Sequence, residues 1–149
     1  MSYSYFAGTF RCLAGGHEHR ASITTKVESD PGAVLVAGAE LPADVADMAI
    51  SHFAVQEPHG ARTFNILERW DCPTCGSAEW IEVVVEDGIV QAFATVPLDL
   101  GTFRRATYVS EAIIHVYEDR TGESLYVGTE IRRGWQERLI AALENGKQR

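Results

Sequence analysis

The chain is 149 residues long and 46% hydrophobic, enough for one globular domain with a buried core of its own. Its formal charge of −8 opposes nonspecific attraction to nucleic acid or to anionic lipid, because the long-range field has the wrong sign. Three cysteines are too few, and odd in number, for a secreted disulfide scaffold, so a reducing compartment, the cytoplasm, is expected. Met1 to Phe10 holds neither a basic start nor a long apolar run, so neither a signal peptide nor a membrane span is expected.

Tyr3 to Arg11 and Glu18 to Val27 read as two strands joined at a knuckle of Cys12, Gly15, Gly16 and His17. In the second strand Ala21, Ile23, Thr25 and Val27 share one face and Arg20, Ser22, Thr24 and Lys26 the other, the alternation of a half-buried antiparallel strand. Ser29-Asp30-Pro31-Gly32 is a turn, and Ala33 to Leu41 is apolar enough for a buried strand. Pro42 suits the first turn of a helix from Ala43 to Gln56. Val45, Met48, Ala49, His52, Phe53 and Val55 give that helix a broad apolar face, and Glu57-Pro58-His59-Gly60 ends it.

Thr63 to Asp71 leads into a second knuckle at Cys72, and Trp80 to Glu86 leads out of it. Asp87-Gly88 is a two-residue turn that pairs Glu86 with Ile89. That register sets Ile81, Val83 and Val85 beside Val90, Ala92, Ala94 and Val96 on one apolar face. Leu100 to Ser110 reads as a short helix or an irregular connection. Ile113 to Glu118 and Ser124 to Glu130 read as a hairpin around Asp119-Arg120-Thr121-Gly122, with a helix through Ile114 and Tyr117 as the competitor. Trp135, Leu139, Ala142 and Leu143 recur at helical spacing, and Asn145-Gly146 closes that helix. No repeat beyond the two knuckles, no low-complexity tract and no linker divides the chain.

Cys72-Pro73-Thr74-Cys75-Gly76 lets two thiolates converge from a tight turn, and Cys12 with one histidine completes a tetrahedral zinc sphere. A thioredoxin-type pair sits where a strand enters a helix, whose N-terminus lowers the thiol pKa. Here Cys75 is followed by Gly76-Ser77-Ala78-Glu79 and a β-rich run, which favours a structural metal site over a redox dithiol.

Phe10-Arg11-Cys12-Leu13-Ala14-Gly15-Gly16-His17 resembles a zinc-ribbon knuckle of the form Cys-x-x-Cys-Gly-His, and Cys72 to Gly76 matches the second knuckle of such ribbons. The resemblance covers these two segments. Gly15 stands where zinc ribbons carry a second cysteine, so the four-cysteine set is broken. Either a histidine completes the set or the site is lost: His17, inside the knuckle, is the first choice for the fourth ligand, and His19, on the same face of the strand, is the substitute. The expected sphere is therefore Cys12, His17, Cys72 and Cys75 around one structural zinc, with iron as the competing metal. Zinc ribbons stabilise folds and dock proteins or nucleic acids, so the resemblance implies an architecture more than an activity. If neither histidine reached the metal, three thiolates plus water would make a hydrolytic centre, with Glu18 or Glu79 as base.

Other residues have plainer readings. His52 falls on an apolar helix face, His59 in a loop and His115 on a strand. Trp70 and Trp80 flank the second knuckle and shield the metal. Arg104-Arg105 and Arg132-Arg133 offer an anion or partner site, but acidic neighbours such as Glu111, Asp119, Glu130 and Glu137 make solvated ion pairs the better reading. No nucleophile elbow, phosphate-binding loop, His-Glu-x-x-His helix or dinucleotide fingerprint occurs. The expectation is an α+β, antiparallel strand-rich single domain over residues 1–149, with a mid-chain helix and a C-terminal helix, stapled by one zinc. Its expected role is a noncatalytic binding protein with a protein partner, a basic one to suit the acidic charge. The alternative is a zinc metalloenzyme acting on a small substrate; a nucleic-acid-binding ribbon is disfavoured by charge.

Overall fold

A computed structural model describes residues 4–25, 33–41, 53–55 and 62–146. Strands β1 (Ser4–Arg11) and β2 (Glu18–Thr25) run antiparallel, with Ser4 opposite Thr25 and Arg11 opposite Glu18, and the first knuckle closes their far end. β3 (Val34–Leu35) adds to β1 in parallel, giving a three-stranded sheet of order β2-β1-β3. β4 (Phe53–Ala54), β5 (Phe64–Asp71), β6 (Ala78–Glu86), β7 (Ile89–Val96) and β8 (Tyr108–Val109) build a second sheet of order β4-β8-β5-β6-β7. Helices α1 (Leu100–Arg105), α2 (Ile113–Thr121) and α3 (Trp135–Gly146) and a small hairpin of β9 (Tyr126–Val127) and β10 (Glu130–Ile131) complete the described chain. The class is α+β, with sheets that mix antiparallel pairs with the parallel pairs β1–β3 and β5–β8.

Alternation along β5 and β6 buries the five-stranded sheet on both faces. Phe64, Ile66, Trp70, Ile81, Val83 and Val85 pack toward Phe6, Phe10 and Ile23 of the three-stranded sheet. Leu67 and Trp80 pack toward Phe103, Tyr117, Trp135 and Leu139 of the helical layer. Between the sheets, buried Glu68 accepts a hydrogen bond from the Thr25 hydroxyl, so one strand of each sheet is joined by a satisfied polar contact. Among the described residues no helix is long and apolar enough to cross a membrane.

Most of the expected helix over 43–56 lies outside the described residues, but its end is not helical: Phe53 and Ala54 pair with Val109 and Tyr108, and the Phe53 ring meets Trp135 edge-on at 5.8 Å. Tertiary pairing has overridden the local helical pattern there. Of 33–41 only Val34 and Leu35 form a strand, followed by an isolated bridge between Glu40 and Ile89. Residues 113–121 are a helix and not the first arm of a hairpin. Ile113 and Tyr117, one turn apart, are both fully buried, and Gly122 at φ 73° caps the helix by donating its N–H to Glu118 O. The β6–β7 turn pairs Glu86 with Ile89 and Val85 with Val90 as expected, but a bulge follows, so Val84 faces Ala92 and Val83 faces Phe93. The shift exchanges Ala92 and Ala94 for Phe93 and Thr95 on the inner face. There the Phe93 ring fills the space against Phe6 and Phe10, at 5.8 Å from each.

Candidate metal centre

The two knuckles are built alike. In the first, Cys12 N–H donates to His17 O at 2.9 Å and Gly16 N–H to Cys12 O at 2.8 Å. In the second, Cys72 N–H donates to Ser77 O at 3.0 Å and Gly76 N–H to Cys72 O at 2.8 Å. Each turn is closed by a glycine in the left-handed region, Gly16 at φ 70° and Gly76 at φ 71°, where a side chain would be strained. Sheet packing brings the turns face to face, and four donor atoms from Cys12, His17, Cys72 and Cys75 lie within 4.8 Å of one another.

The spacing suits a metal. Cys12 Sγ lies 3.8 Å from Cys75 Sγ and 3.3 Å from His17 Nδ1. Two thiolates at about 2.3 Å from a tetrahedral centre are about 3.8 Å apart, whereas a disulfide would need about 2.05 Å. All three cysteines are free thiols; Cys12 and Cys72 are buried and Cys75 is exposed.

The surroundings favour the thiolate at Cys12 and Cys75. Burial pushes the Cys12 thiol up, but the N–H groups of His17 and Gly15 aimed at its sulfur, aided by the His17 ring, outweigh this and hold it at about 6. The hydroxyl and N–H of Ser77 draw the Cys75 thiol down, while burial keeps that of Cys72 high. The bond to Cys12, with Cys75 beside it, raises His17.

The histidines separate cleanly. His17 belongs to the cluster, whereas His19 points to the rim of the second knuckle, its Nε2 at 2.8 Å from Thr74 Oγ1 and its ring 6.1 Å from Trp70. Gly15 explains how His17 reaches in. A Cβ at position 15 would overlap the imidazole Cε1 and lie 2.8 Å from its Nδ1, so the ring occupies the volume that a side chain on residue 15 would fill.

Glu79 has a role that the sequence reading did not assign. It is buried, and its Oε1 accepts from Leu13 N–H at 2.8 Å, from Ala14 N–H at 3.3 Å and from the Ser77 hydroxyl at 3.1 Å. A carboxylate from the second knuckle thus fixes the backbone of the first. Both backbone partners lie more than sixty positions upstream, so no local signal marks the contact. Glu18 is exposed.

Trp70 packs in the same buried cluster as Cys12 and Cys72, its ring 5.6 Å from Phe10. Trp80, one position out of phase, faces the helical layer and does not shield the site. His115 is exposed on α2, not on a strand, and His52 and His59 lie outside the described residues. Arg104, Arg105 and Arg132 pair with Glu144, Glu82 and Glu123. No protein-family model, curated protein sequence or solved structure matches the chain, so the centre is read from its own chemistry.

Proposed function

We propose that the chain is a small zinc-stabilised binding protein of the cytoplasm. One structural zinc is held by Cys12, His17, Cys72 and Cys75, and the partner is another protein. The single observation that carries this reading is the closed set of three sulfurs and one imidazole nitrogen, all within 4.8 Å, supplied by two rigid turns. Three soft thiolates and an imidazole in tetrahedral spacing favour zinc, and four protein ligands leave no position for a reacting water. Glu79, a candidate base in a hydrolytic site, is instead engaged by the first knuckle. The zinc-ribbon likeness belongs to this proposal: both turns have the ribbon form, with His17 taking the place of the cysteine missing at position 15.

A binding role is supported by exposed apolar side chains. Tyr126, Val127 and Ile131 leave 37%, 58% and 40% of their surface open on the short hairpin β9–β10, apolar surface that a partner would cover. The net charge of −8 favours a basic partner.

The reading is tested by metal content, cobalt substitution and crosslinking in cells. One equivalent of zinc is expected, lost in Cys75→Ser and His17→Ala and kept in His19→Ala. The cobalt spectrum should be that of a four-coordinate ion and indifferent to azide; a shift on adding azide would reveal an open position and transfer the reading to an enzyme. Absence of bound metal removes the proposal. A protein crosslinked to the native chain and lost with Val127→Asp supports the binding role, and crosslinks equal in both count against that surface.

A further inference from the structure

The metal centre joins two segments that are the same structure repeated. β1, the first knuckle and β2 correspond position for position to β5, the second knuckle and β6, with every residue shifted by sixty: Ser4 pairs with Thr25 as Phe64 pairs with Val85, and Arg11 with Glu18 as Asp71 with Ala78. Burial follows the same shift. Phe6 and Ile66, Phe10 and Trp70, Cys12 and Cys72, and Ile23 and Val83 are buried pairwise. The equivalent rings of Phe10 and Trp70 touch across the junction.

Cross-contacts between the units are reciprocal. Glu79 reaches the N–H of Ala14, and its counterpart His19 reaches the hydroxyl of Thr74, the counterpart of Ala14. The two units therefore face each other in a two-fold-like relation with the donor cluster between them.

Within this relation the ligands are asymmetric in one respect. Cys12 and Cys72 are equivalent, but Cys75 corresponds to Gly15 and His17 to Ser77. In the second knuckle residue 75 carries the donor sulfur and residue 77 is small, the Ser77 hydroxyl lying 3.2 Å from Cys75 Sγ. In the first, residue 15 has no side chain and the ring of residue 17 fills the volume one would take, so completely that a Cβ on residue 15 would collide with it.

We infer that the metal centre is the junction of two copies of one strand–knuckle–strand unit, and that its second ligand position is transferable within each knuckle between the fourth residue, 15 or 75, and the sixth, 17 or 77. This rests on the metal-centre reading above and adds that the Gly15/His17 and Cys75/Ser77 pairs set how many thiolates the metal sees. Each pair is one solution to filling a single volume: a ligand at one position requires a small residue at the other.

The test uses cobalt(II) as the probe, because its thiolate charge-transfer absorption grows with the number of coordinated sulfurs. The native chain should show three. Gly15→Cys combined with His17→Ser should bind one cobalt with an absorption larger by about one third, and Cys75→Gly combined with Ser77→His should bind one with an absorption smaller by about one third. Circular dichroism confirms that each variant folds. A native chain that binds no cobalt removes the metal-centre reading and this inference with it. If the native chain binds with three sulfurs, either swap that is metal-free, unfolded or still three-sulfur overturns the inference alone, because transfer within an unchanged turn is its whole content.

Discussion

Gly15 is explained by space and not by backbone conformation. Gly16 needs its φ of 70°, but Gly15 is required because the His17 ring lies where its Cβ would be. Gly15→Ala is therefore expected to evict the imidazole while leaving the turn's hydrogen bonds intact. Metal retention against a chelator should fall at least about tenfold, as for the loss of a positioned ligand shell, with little change in the thermal stability of the metal-free protein. Equal retention would show that His17 is not a ligand. Glu79→Ala should do the reverse first. It leaves the Leu13 and Ala14 N–H groups without their carboxylate, so the metal-free protein should lose about 2 kcal/mol, as for hydrogen bonds to a charged group, measured by urea unfolding. Glu79→Gln, which keeps an acceptor oxygen, should fall between. At this scale the cysteines and His17 were legible because their spacing along the chain is itself the signal. The structural role of Glu79 was not, since its partners are distant and its position beside the knuckle marked it only as a candidate base.

At the scale of elements, local pattern was reliable where neighbours in sequence are also neighbours in space. The β1–β2 arms, the Asp87-Gly88 turn and the Trp135/Leu139/Leu143 face of α3 all follow from patterning. The two-residue strands β3, β4 and β8 follow from tertiary pairing, and no run of two residues announces that. The β-bulge between Val84 and Val85 was hidden because the alternation of β7 offers an inner face in either register; only the fit of Phe93 against Phe6 and Phe10 selects one. Gly122 misled because turn chemistry and helix-cap chemistry use the same residue.

Just past that cap, Glu123 ties α2 to α3. It accepts from the Tyr117 hydroxyl at 2.5 Å and from Arg138 Nη1 at 2.9 Å. Its carboxyl is held below the ordinary glutamate value chiefly by Tyr117, then by the nearby arginines, with burial opposing. A carboxylate with a depressed folded-state pKa contributes stability above the ordinary glutamate range and loses it as pH falls through that range toward the folded value. Glu123→Gln should therefore melt at a lower temperature than the native chain near pH 7, and the gap should narrow as pH is lowered below about 4. A constant gap across that range would show that the charge of Glu123 contributes nothing.

The described residues form two cores on opposite faces of one sheet, and the candidate metal ligands lie with only one of them. Cys12 and Cys72 are part of the inter-sheet cluster, whereas Leu139 and Leu143 belong to the helical cluster with no ligand in it. This was half legible: the distance in sequence between the knuckles showed that a metal would tie the N-terminal strands to the centre, but not that the helices would stand apart from that tie. Binding to a preformed site transfers its free energy to whatever holds the ligands in place, and local openings report stability region by region. Removing the metal should therefore loosen β1 and β2 selectively. In the chelated protein, amides hydrogen-bonded between β1 and β2 should exchange at least about tenfold faster, while those around Leu139 and Leu143 in α3 keep their rates. Hydrogen exchange resolved by residue, with and without chelator, reads both sets in one experiment. Acceleration equal in both cores would mean that the sheet couples them into one cooperative unit. The metal would then stabilise the whole fold and not the junction of its two repeated hairpins.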